Sequence, residues 1–172
     1  MESRADAIRI LTEQRREVLA LLGGLTARAR TRRGLGGGEW SAKDLLGHLE
    51  SWERHAIDAL AAWDRGEPAP IDAALRADGV HEVNRRAVAA QARRSYASIA
   101  TSAADTHLAL IDAIRGITDE RWSAPASPRG RKPLGHRLGQ ILVGADLFAH
   151  DRAHLRDLRS FVEAHGHLPQ GV

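Results

Sequence analysis

The chain has 172 residues, 43% of them hydrophobic and 27% charged, which suits one globular domain spanning residues 1–172 with a sizeable core. It has no cysteine, which excludes disulfides, thiolate metal sites and a cysteine nucleophile; any metal must be held by His, Asp or Glu, or by a thiol that a ligand brings. The net charge of +3 arises from arginines mixed with acids along the chain, and only Arg28, Arg30, Arg32 and Arg33 form an acid-free run, a pattern that argues against a nucleic-acid surface.

The N-terminal stretch MESRADAIRILTEQRR is charged throughout and lacks the apolar segment of a secretory signal. No run of about 18 uncharged apolar residues offers a membrane span. A cytoplasmic location is the expectation. A first helix is expected from about Ser3 to Leu22, where Ile8, Leu11, Arg15, Val18 and Leu22 keep three-and-four spacing and Leu19 and Leu21 widen the stripe. The glycines of Gly34 to Gly38 end that segment.

Ser41 is a good N-cap for a second helix, and Asp44 three residues on completes a capping-box pattern. This helix runs to Trp63 on a stripe of Leu45, Leu49, Trp52, Ala56, Leu60 and Trp63, and DRGEPAP stops it. Ile71 to Asp78 reads as a loop or short helical turn. A third helix is predicted from Val80 or Asn84 to Ile114, bent near Arg94–Ser95, with Leu108, Ile111 and Ile114 in the core. Residues 118–135, TDERWSAPASPRGRKPLG, hold three prolines and read as loop. A fourth helix is predicted from His136 to His165, closed by Gly166. Alternating and β-branched patterns are too sparse for a sheet. Four long helices predict an all-α fold, a four-helix bundle.

On the fourth helix, Val143, Leu147, His150, His154, Leu158 and Phe161 fall along one core-facing seam. Two histidines thus occupy positions where a bundle normally places leucine. A buried imidazole is costly unless its nitrogens find partners. Each ring could bond a backbone carbonyl. At i and i+4, both could also reach a single ion. His48, between Leu45 and Trp52 on the second helix, is the third ligand such an ion would need. His55, one further turn along, is a candidate competing ligand or pocket base, or a surface residue. His81, His107, His136, His165 and His167 fall near helix ends or in loops and read as solvated or capping.

WSAKDLLGHL at the start of the second helix and FAHDRAHL near the chain end, at this chain length, resemble the DinB-like superfamily of four-helix-bundle metalloenzymes. VHEVNRR resembles a stretch found in the branch with colibactin-resistance proteins. The resemblance covers nearly the whole chain. It implies an up-down-down-up bundle, often dimeric, with a divalent ion (zinc, nickel, iron or manganese) on His48, His150 and His154. Relatives include bacillithiol and mycothiol S-transferases, a mycothiol-dependent isomerase and hydrolases of an electrophilic cyclopropane. The implied function is therefore metal-dependent disarming of a reactive small-molecule electrophile, by thiol transfer or hydrolysis, with mycothiol or bacillithiol as co-substrate.

His150-Asp-Arg-Ala-His154 lacks the glutamate of the metalloprotease pattern His-Glu-x-x-His. Asp151 sits where that base would be, and its short side chain is expected to point off the seam; it and His55 are the catalytic candidates. Trp52 and Asn84 are the candidate substrate contacts, against the blander readings of core aromatic and helix cap. Asp146 and Asp157 could orient imidazoles or pair with arginines at the surface. The competing functions are a non-catalytic binder or stress protein with a structural metal, and a metal-free interaction module.

Overall fold

The computed structural model describes residues 2–128 and 130–166. The described chain is all-α: α1 (Arg4–Gly23), α2 (Ala27–Arg30), α3 (Ala42–Asp64), α4 (Pro70–Gln91), α5 (Tyr96–Gly116), α6 (Asp119–Ser123), α7 (Leu134–Ile141) and α8 (His150–His165), with a 3-10 turn at Leu35–Gly37. The expected α3 forms as read. The Ser41 side chain accepts from the Asp44 N–H while the Asp44 carboxylate takes the Ser41 N–H, a complete capping box. Every residue of the predicted stripe from Leu45 to Trp63 is buried.

Several expectations change. The Ile71–Asp78 stretch is helical, because Pro70 starts α4 at a position where its missing N–H costs nothing. Within α4, Gly79 adopts φ 76° and ψ 165°, which only glycine takes readily, and this breaks the helical path. The predicted third helix is two helices, because the chain leaves α4 at Ala92 and restarts at Ser95, whose hydroxyl caps α5 by accepting from the Ser98 N–H. Leu108 is 62% exposed rather than core. Steps of three residues drift by about 60° each on a helix. The real stripe is Ile99, Ala103, Thr106, Leu110 and Ile114, whose small and polar members conceal it.

The predicted fourth helix is likewise two. α7 ends at Ile141, and the chain turns before α8 starts at His150. Val143 is therefore not on the seam; it is 48% exposed. Phe148 closes the turn with φ 62°, a strained value for a bulky residue. Burial of its ring against Trp122 (centroids 6.0 Å apart) holds it there. Gly139 makes room: a Cβ at that position would lie 2.8 Å from the Phe148 ring. The predicted loop 118–135 also contains the short helix α6, capped by Thr118. On α1, Leu19 is exposed instead of widening the stripe.

α3 packs against α5 and α4, α1 against α8 and α5, and α8 also against α3. Buried apolar side chains form two clusters. One gathers Leu11, Trp52, Leu110 and Phe148; the other gathers Val18, Leu45, Ile99 and Leu158. On α1 and α5 the chain passes from one cluster to the other through polar residues, Arg15 and then Thr106 with His107; on α3 the passage falls at Glu50, with His48 and Glu53 to either side, and α8 opens with His150, Asp151 and His154 before its apolar residues join the second cluster. The interior thus has a polar layer between two apolar ends.

Candidate metal centre

His48 lies in the middle of α3 and is 2% exposed. His150 is the first residue of α8 and His154 follows one turn later, both half-buried. The three rings converge, with centroids 4.9 Å (His48–His150), 5.1 Å (His48–His154) and 5.2 Å (His150–His154) apart. One ring nitrogen from each lies within 4.8 Å of the others. His48 Nε2 and His150 Nε2 are 3.1 Å apart. The turn through Phe148 sets α8 in place, and the His150 N–H donates to the Leu142 carbonyl at 3.1 Å.

Packing, together with the Nε2 contact to His150, aims the His48 ring. The Trp40 ring is 4.8 Å from it and Trp52 6.4 Å, while its buried Nδ1 has no hydrogen-bond partner among the described residues. Burial, reinforced by the neighbouring His150 and His154, pushes the His48 imidazole down to about 2. Burial with His154 alongside pushes His150 down to about 4. Burial lowers His154 as well, against the pull of Asp151 and Asp157. All three rings are therefore neutral, the form that ligates a metal, and imidazole nitrogen suits zinc, iron and nickel. The donor set fits a divalent ion.

The same shifts dictate how the metal-free protein responds to acid. An unfolded histidine takes a proton below its ordinary value of about 6.5, whereas His150 and His48 stay neutral to about 4 and about 2. Stability is then complete above about pH 6.5 and falls with further acidification, by up to about 1.4 kcal/mol per pH unit for each ring. Urea unfolding of metal-free protein between about pH 7 and about pH 5 should show that decline, with His48→Leu flattening it. A midpoint that ignores pH across this range would contradict it.

The imidazoles open onto a cavity of about 430 Å³. Trp52 and Asn84 line it, as do Arg137 and Gln140 of α7 and the apolar side chains Leu75 and Ile141. The Trp52 indole N–H donates to Asn84 Oδ1 at 3.0 Å. Trp40, Arg137 and Gln140 were not legible as site residues. Nothing in the local pattern distinguishes Arg137 from the chain's other arginines, and Trp40 precedes the helix whose histidine it packs on.

His55 is not part of the trio. Its ring packs edge-on against Trp52 at 5.8 Å, and it lines a separate cavity of about 570 Å³. Asp151 is not at the surface, one of the two places open to a side chain off the seam. It is buried at 8% exposure, and both its oxygens accept from Arg15, Oδ2 at 2.7 Å and Oδ1 at 3.3 Å. Arg15, itself buried, also donates to Glu53 Oε2 at 3.1 Å, and Glu53 Oε1 meets His107 Nδ1 at 2.6 Å. His107 is thus a mid-helix residue of this buried network rather than a solvated or capping one. Asp146 and Asp157 are exposed, as are Arg85 and Arg86, which pair with Glu82. His167 lies outside the described residues.

A convergent three-histidine cluster inside an all-helical bundle defines a protein with a candidate metal centre. The DinB superfamily model matches residues 10–158, and the chain belongs to that superfamily. A crystal structure of an uncharacterised protein from Escherichia coli UTI89 has the same fold, with TM-score 0.79 at 12% identity over 95% of each chain. No curated protein matches the chain. No described helix is long and apolar enough to cross a membrane.

Proposed function

We propose that this chain is a metal-dependent enzyme that disarms a reactive small-molecule electrophile, by transfer of a low-molecular-weight thiol such as mycothiol or bacillithiol, or by hydrolysis. The observation that carries the proposal is the convergence of three neutral imidazoles, from two separate helices, on the wall of an open cavity. A divalent ion such as zinc, nickel, iron or manganese, held by His48, His150 and His154, would favour the deprotonated form of a thiol or water beside it. The residues of the chain divide the remaining tasks. Trp52 walls the cavity, and its bond to Asn84 fixes the amide that faces substrate. Asp151 acts through Arg15, bracing the first turn of α8 so that His150 keeps its aim.

The test is turnover. Metal-loaded protein is incubated with a panel of electrophiles (epoxides, activated cyclopropanes, quinones), each with mycothiol, bacillithiol, glutathione or no thiol. Catalytic consumption in at least one combination, lost on chelation, is expected. Consumption limited to one equivalent per protein would make the chain a binder and sink the enzymatic reading.

A further inference from the structure

The polar wall of the histidine cavity has a definite sense of hydrogen bonding. The Trp52 indole can only donate, so Asn84 must turn its Oδ1 toward it (3.0 Å), and the Asn84 NH2 is left over. The Arg137 guanidinium can also only donate, so Gln140 must turn its Oε1 toward it (3.2 Å), and the Gln140 NH2 is left over. Neither amide nitrogen forms a hydrogen bond among the described residues. The carboxylate on the same wall, Asp72, is bound by Arg137 at 2.7 Å, which also cancels its charge. The rest of the wall is the three imidazoles, whose nitrogens the proposed ion would occupy, together with apolar side chains; Val80 and Val143, both close to half exposed, are among these.

From this we infer that the cavity selects a molecule carrying two acceptor oxygens (carbonyl, amide or carboxylate) on an apolar body over one of similar shape that lacks them. A bound ligand shuts these N–H groups off from water, so one that lacks the oxygens forfeits about 10-fold in affinity at each amide. This rests on the proposed reading only in taking the histidine cavity as the substrate site; the selectivity belongs to Asn84 and Gln140 and does not require the ion.

The test compares two probes of similar shape, N-butylsuccinimide, with two carbonyl acceptors, and N-butylpyrrolidine, a cationic amine, by ligand-observed NMR titration. Metal-free and zinc-loaded protein are both used. The succinimide is expected to bind at least about 10-fold tighter in both forms. Asn84→Asp keeps an acceptor for Trp52 but replaces the NH2 with oxygen, and Gln140→Glu does the same beside Arg137. Each should weaken the succinimide about 10-fold with little change in melting temperature. Amine preference, failure of both probes to bind, or variants that bind the succinimide as wild type does would overturn the inference. If zinc does not bind but the preference holds in metal-free protein, the metal reading fails and this one stands.

Discussion

Replacing Arg15 with methionine is expected to lower the unfolding free energy by about 3–5 kcal/mol. The reason is what remains behind. Arg15, Glu53 and Asp151 are 3%, 2% and 8% exposed, and the guanidinium alone bridges the two carboxylates. Without it, two acids are buried, and Glu53 keeps only its contact with His107 in place of the guanidinium. Lysine should rescue only partly, because a point charge cannot reproduce the fork that reaches both acids. The Arg15→Met substitution should also weaken metal binding about 10- to 100-fold, the range seen when a residue behind the ligands is lost, because Asp151 adjoins His150. Urea unfolding and a competitive metal titration on the same preparation check both halves. An Arg15→Met variant as stable as wild type would show the network to be dispensable.

His154→Ala carries the second large effect. It should weaken binding of a divalent ion by more than about 100-fold, beyond what loss of an outer partner does, because a donor itself is removed. Stability of the metal-free protein should hardly fall, since the half-buried ring is held neutral by burial and makes no hydrogen bond among the described residues. His55→Ala is the matched control: one turn from Trp52 but outside the trio, it should leave metal affinity unchanged. Equal losses from both variants would mean that the measured ion sits elsewhere.

The parts of the fold that could be read directly were those where periodicity and capping agree. On α3 the Ser41–Asp44 box and an unbroken stripe point to one helix, and the helix is there. Periodicity failed where alanine and threonine interrupt the stripe, as on α5, or where a turn preserves the spacing by coincidence. Val143 and Leu147 stand at helical intervals from His150, yet a positive-φ phenylalanine lies between them and α8. The i,i+4 spacing of His150 and His154 is unaffected by that turn because it lies wholly inside α8.

Beyond the three histidines, the polar layer showed itself locally in an arginine on the apolar stripe of α1. Its partners could not be deduced, because Glu53 and Asp151 are 38 and 136 residues away and only packing brings them together. Arg137 and Gln140 were hidden for the same reason: their significance lies in which neighbour occupies each hydrogen-bonding group, which no spacing encodes.

The most direct measurement is X-ray absorption on protein reconstituted with one equivalent of zinc, made without a histidine tag. Three imidazole nitrogens at about 2.0–2.1 Å and one further light ligand are expected, falling to two imidazoles in His48→Leu. Failure to retain zinc, or a first shell with fewer than three imidazoles in the wild type, would contradict a metal centre on His48, His150 and His154.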